Sequence, residues 1–120
     1  MKLLSQKRAA YALGRVQAVG KEGHDYARLC RDLPAMLLQN GLGQSLAFLI
    51  SKNENAHAAL YADISGWLIH ERRIYAGGDL IKAVMEGGRN EYMAAQEEAL
   101  ELSGWLKRFA DATIGKEDHR

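Results

Sequence analysis

Residues 33–52 read Leu-Pro-Ala-Met-Leu-Leu-Gln-Asn-Gly-Leu-Gly-Gln-Ser-Leu-Ala-Phe-Leu-Ile-Ser-Lys, and this stretch constrains the fold more than any other. It holds the only proline of the chain and two apolar runs, 36–38 and 46–50, joined by Asn40-Gly41-Leu42-Gly43. Pro34 suits the first turn of a helix, where its missing N–H would be unpaired anyway. The residue before a proline avoids the helical region, so a break or kink is expected near Leu33. Asn40-Gly41 supplies a residue that can take positive φ where a helix ends. Leu42, Leu46, Leu49 and Ile50 then recur at i, i+4, i+7 and i+8, one face of a new helix running to Lys52. A helix, a glycine corner and a second helix, apolar inside, form the expected core.

Composition agrees with this reading. At 120 residues the chain can build one hydrophobic core, and a single domain spanning 1–120 is expected. Hydrophobic residues at 48% and charged residues at 26% are ordinary for a water-soluble globular protein. Alanine and leucine dominate over β-branched residues, which favours helix over strand. No run approaches the ~18 apolar residues of a membrane span, and the apolar part of the N-terminus is too short for a signal peptide. A lone cysteine, Cys30, cannot form an internal disulfide, which points to the cytoplasm.

The rest of the chain continues the helical pattern. Residues 2–20 place Ala9, Ala12, Leu13, Val16 and Val19 on one face. Lys21-Glu22-Gly23 reads as a turn, after which His24 or Asp25 opens a helix with Tyr26, Leu29 and Cys30 inward. Asn53 or Asn55 is placed to cap a helix running to about Arg73, with Leu60, Ile64, Trp67 and Leu68 on one side. Asp79 is placed to cap a short helix through Met85. One long final helix follows from Arg89 to about Thr113, with a stripe at Tyr92, Ala95, Ala99, Leu102, Leu106, Phe109 and Thr113. The polar tail 115–120 is expected to fray. The prediction is an all-α, single-domain bundle of about six helices.

Net charge is only +1, but it is unevenly spread. Residues 1–21 hold Lys2, Lys7, Arg8, Arg15 and Lys21 and no acid, whereas 86–101 hold Glu86, Glu91, Glu97, Glu98 and Glu101 against Arg89 alone. Lys7, Arg8, Arg15 and Lys21 gather opposite the apolar face of the first helix, around Tyr11 and Gly14. Lys7, Arg8 and Arg15 have no acid three or four residues away. Such a face is either a solvated surface or a track for an anionic chain.

No constellation assembles a catalytic centre. Glu54-Asn55-Ala56-His57 has the spacing of a di-iron carboxylate motif, but that site needs a second copy and two further glutamates. His70 and Glu71 are adjacent and point about 100° apart on a helix. Gly41-Leu42-Gly43 lacks both the third glycine and the preceding strand of a dinucleotide loop. Ser45 and Ser51 lack a nucleophile elbow. Cys30, in an apolar-periodic helix, reads as a small core residue. Trp67, Trp105, Phe48 and Phe109 read as core, unless one marks a protein contact. No catalytic residue, metal site, cofactor, small-molecule substrate or membrane contact is expected.

Leu33-Pro34, Gln39-Asn40-Gly41-Leu42, Leu46-Ala47-Phe48-Leu49 and Lys52, with Tyr92, Glu98-Ala99-Leu100 and Trp105-Leu106-Lys107-Arg108-Phe109-Ala110 near the end, carry a family resemblance. The chain resembles the small α-helical subunit of the type III-B CRISPR RNA-silencing complex, the Cmr complex. The resemblance implies a non-catalytic subunit stacked in several copies along the guide RNA–target RNA duplex. Its implied partners are a repeated backbone subunit, further copies of itself, and both RNAs through their phosphates. It adds Lys52, Lys107 and Arg108 as candidate RNA contacts by match alone, beside Lys7, Arg8, Arg15 and Lys21 from the charge pattern. Reversing Arg8 and Arg15 to Glu is then expected to weaken RNA retention and leave the fold intact. The alternative is a helical adaptor whose basic face meets an acidic protein, with no nucleic-acid contact. A small metal-dependent enzyme is the third and remotest reading.

Overall fold

In the computed structural model, which describes residues 2–20 and 23–115, five α-helices and one π-helical turn follow in order: α1 (Leu4–Val19), α2 (His24–Lys52), α3 (Asn55–Ser65), the π turn Gly66–Glu71, α4 (Leu80–Glu86) and α5 (Arg89–Thr113). No strand occurs among the described residues. The expected turn at Lys21-Glu22 and the expected fraying beyond Gly115 lie outside them.

The helix–corner–helix reading holds, with one correction. α2 does not break at Leu33; it runs through Pro34 and changes direction at Gly41, where φ is 82° and ψ 169°. The proline removes one backbone hydrogen bond. Leu29, Cys30, Leu33 and Leu37 nevertheless stay on one buried face, and burying such side chains is worth about 1.5–3 kcal/mol each for the larger ones. That outweighs the lost bond. At Gly41 the chain needs a left-handed φ, and a Cβ would come within 3.2 Å of the Tyr92 hydroxyl. By length and composition α2 could cross a membrane, but Leu29, Leu33, Leu37, Leu42, Leu46 and Leu49 are buried in the core, while Leu38 is exposed.

α5 lies between α1 and α2, and α3 packs on α2. Ala95, Ala99, Leu102 and Leu106 of the expected stripe are buried, together with Ala110, while Tyr92, Phe109 and Thr113 sit half-buried at its margins. Leu60, Ile64, Trp67 and Leu68 are buried as expected, though the π turn interrupts their helix.

Two expected caps work differently. Asn53 ends α2 in the left-handed region (φ 49°) instead of opening α3, and the residue before α3 is Glu54; asparagine tolerates that region because its side chain can bond locally. Asp79 does precede α4, but its carboxylate accepts from the Tyr61 hydroxyl, whose oxygen accepts the Ile81 N–H at 3.0 Å. A tyrosine from α3 is therefore the cap of α4.

Candidate nucleic-acid interface

The basic face of α1 meets acids brought from other helices. Arg8 donates from Nε to Glu98 Oε1 at 3.1 Å and from Nη2 to Oε2 at 2.6 Å. Glu98 also accepts the Trp67 indole N–H at 3.1 Å and faces Arg72 Nε at 3.6 Å. Burial pushes the Glu98 carboxyl up, but the hydrogen bonds from Arg8 and Trp67 and the charges of Arg8 and Arg72 together hold it below its ordinary range.

Two helical turns along, Arg15 Nε lies 3.0 Å from Asp63 Oδ1. Asp63 Oδ2 accepts from the buried Tyr26 hydroxyl at 2.6 Å. Tyr11 donates to the Asp63 carbonyl at 2.6 Å, and its ring lies 5.0 Å from that of Trp67. Burial raises the Asp63 carboxyl, with Tyr26 and Arg15 opposing it; burial also lifts the Tyr11 phenol to about 12.

The expectation of uncompensated cations on α1 is thus corrected for Arg8 and Arg15. Their acids lie 90 and 48 positions away in the chain, beyond any i±4 test. Arg8 keeps 14% of its side chain exposed and is a tie between α1 and α5. Arg15 keeps 43% exposed, so one edge of its guanidinium still faces solvent. Reversing these two residues would strike the fold before any outer surface.

The other candidates stand differently. Lys7, Lys107 and Arg108 are exposed and pair with no acid among the described residues. Lys52 is exposed at the end of α2, with its ammonium 6.0 Å from the centre of the Phe48 ring. Lys21 lies outside the described residues. Beside Lys107 and Arg108, Trp105 stacks on Phe109 with ring centres 5.7 Å apart and planes 22° apart. This half-exposed aromatic pair, read from sequence as core, borders the outer surface of α5.

Among the described residues no chemistry gathers elsewhere. Cys30 is fully buried, and burial raises its thiol to about 12, so it supplies no thiolate near neutral pH. His57 packs edge-on against Phe48 at 5.6 Å. Among the described residues no three His, Cys, Asp or Glu side chains group so as to hold a metal ion. A groove of about 560 Å³ opens between α1, the start of α2 and α3, lined by Arg15, Val19, Tyr26, Asn55, Ala59 and Asp63.

Residues 4–113 match the family model described as CRISPR-associated protein (Cas_Cmr5). The "CRISPR system Cmr subunit Cmr5" of Thermus thermophilus is 33% identical over 105 residues, covering 88% of this chain and 89% of that one. The protein of the same name from Thermotoga maritima is 32% identical over 123 residues, covering 99% and 91%. An X-ray crystal structure of a CRISPR-associated Cmr5 family protein from Thermus thermophilus superposes with a TM-score of 0.79 at 32% identity, covering 95% of this chain and 99% of that one.

Proposed function

Because the chain belongs to the Cmr5 family of CRISPR-associated proteins, we propose that it is a non-catalytic small subunit of a type III-B Cmr ribonucleoprotein. In this reading it stacks in several copies along the guide RNA–target RNA duplex and supports target RNA binding in antiviral defence. The observation that carries the reading is a family match running from the first turn of α1 to the last of α5. The relatives bear the name of a Cmr subunit, which supports partners among the other Cmr subunits; in this reading they are the repeated backbone subunit and further copies of this chain. The setting is the cytoplasm.

The RNA-facing groups are the outward cations. Lys107 and Arg108, with Lys7 and Lys52, offer charge that no described acid neutralises. Phosphate contacts of this kind position a strand without reading its sequence. Each copy contributes a weak contact, and repetition along the strand multiplies it. Arg15 adds its solvent-facing edge, whereas Arg8 acts by holding α1 on α5.

The adaptor reading instead uses the outward cations to meet an acidic partner with no nucleic-acid contact, such as the exposed Glu91, Glu97 and Glu101 of another copy. One experiment separates the two. Tagged purification from the native host in mild salt is expected to return a particle with guide-sized RNA and a repeated backbone protein. In that particle, Lys107→Glu with Arg108→Glu lowers target RNA retention without changing the helicity of the chain. Recovery of the bare 13.3 kDa protein, free of RNA at low salt as well, makes the adaptor the better reading.

A further inference from the structure

The outer face of α5 carries a feature that cationic contacts alone do not require. Glu101, Gly104, Trp105 and Arg108 fall at i, i+3, i+4 and i+7, one stripe of the helix, and line a shallow open depression. Gly104 forms its floor: nothing lies within 4 Å of where a Cβ would stand. Trp105 forms a wall, half-buried and backed by the Phe109 ring. Offset stacking fixes an indole plane at little entropic cost, so this is an ordered aromatic surface. Arg108 stands one turn away, about 4.5 Å along the axis, exposed and free of any described acid.

We propose that Trp105 is a stacking platform for one unpaired base of single-stranded RNA, with Arg108 taking the adjoining phosphate. This deepens the RNA-supporting reading above and rests on it. An aromatic plane beside a cation is what sequence-tolerant binding of a single strand uses, because every base has a π-face and every nucleotide a phosphate. Glu101 completes the pocket as an acceptor for exocyclic amino groups and repels a second phosphate, which keeps the strand in one register. The bare floor at Gly104 leaves room for the sugar. Tryptophan and arginine also anchor protein interfaces; what favours an anionic strand here is the pair of exposed cations, Lys107 and Arg108, beside the ring.

The test uses the assembled complex carrying this chain and a target RNA whose uridines, in the guide-paired segment and in unpaired flanks, are 4-thiouridine. Long-wavelength irradiation followed by mass spectrometry is expected to place a crosslink on the peptide containing Trp105. Trp105→Leu is expected to weaken target retention about tenfold, and Trp105→Tyr to restore it to within about twofold. Retention of target RNA by the parent with crosslinks on this chain but none on α5 overturns the platform and leaves the RNA-supporting reading standing. Crosslinks to other subunits only, with none on this chain, overturn both. Protection of Trp105 from oxidation in the complex before RNA is added assigns the surface to a protein partner and overturns the platform. The crosslink is read on the parent chain, so it decides even where Trp105→Leu fails to assemble.

Discussion

Arg8 and Glu98 stand 90 positions apart in the chain and face each other as a two-pronged ion pair, with Nη2 and Oε2 2.6 Å apart. The pair is the electrostatic joint between α1 and α5, and Trp67 completes it by donating to the same carboxylate. With only 14% and 10% of the two side chains exposed, water cannot replace either partner. Removing one partner leaves a largely buried charge, which costs far more than the pair contributes over a neutral substitute.

Arg8→Ala is therefore expected to destabilise the chain by about 2–4 kcal/mol, read as a lower urea midpoint at unchanged m-value. Arg8→Met combined with Glu98→Gln is expected to recover most of that loss, because the glutamine still accepts the Trp67 N–H and no charge is stranded. A double variant as unstable as the sum of the singles would show that packing, not charge, holds the joint.

The two buried acids pull the pH profile in opposite directions. Glu98 is held below its ordinary value, so its contribution is present above about pH 4.5 and disappears as the pH falls through its folded value. Asp63 is raised by burial, so its contribution is present below about pH 3.8 and is lost as the pH rises through its folded value. Urea unfolding from about pH 3 to 7 is expected to show the parent ahead of Glu98→Gln by a margin that shrinks in acid. The Asp63→Asn chain is expected to gain on the parent as the pH rises. Parallel profiles for parent and both variants would contradict the assignment.

Gln96 carries a different burden. The bend at Gly41 releases backbone groups of α2, and Gln96 of α5 binds two of them: its Nε2 donates to the Leu37 carbonyl at 3.0 Å and its Oε1 accepts the Leu42 N–H at 2.6 Å. Tyr92 adds a bond from the Gly43 N–H at 3.1 Å. Gln96→Leu leaves a buried donor and acceptor unpaired and is expected to cost about 2–4 kcal/mol. Amide exchange at Leu42 is the sharper readout: it is expected to quicken far more than exchange in the middle of α5.

These cases show what was legible beforehand. The Gly41 corner and the buried stripe of α5 were readable because each rests on residues within a turn or two of one another; the start of α4 was placed by Asp79, but the tyrosine that caps it comes from α3. The passage of α2 through Pro34 was not, because it depends on burial of Leu33 and Leu37 against helices far along the chain. The candidate interface divides the same way. Lys7, Arg8, Arg15, Lys107 and Arg108 look alike in sequence, and only the arrival of Glu98 and Asp63 separates ties from outward charge. Trp105 looked like core because its spacing is helical; it packs against the margin of the core and stays partly exposed.

The π turn gives the sharpest test of packing. Gly66 has ordinary helical angles (φ −57°, ψ −41°), so alanine should gain up to about 1 kcal/mol in helix propensity. A Cβ there would lie 2.4 Å from the Tyr11 hydroxyl oxygen, and Tyr11 is held in place by its bond to the Asp63 carbonyl. Gly66→Ala is thus expected to destabilise by about 1–3 kcal/mol, and Tyr11→Phe alone by about 1 kcal/mol. Together they should cost less than their sum by at least about 1 kcal/mol, because the clashing oxygen is gone and the next ring atom, Cζ, is 3.6 Å away. Additive costs would mean that the glycine serves the backbone of the π turn and not the approach of α1.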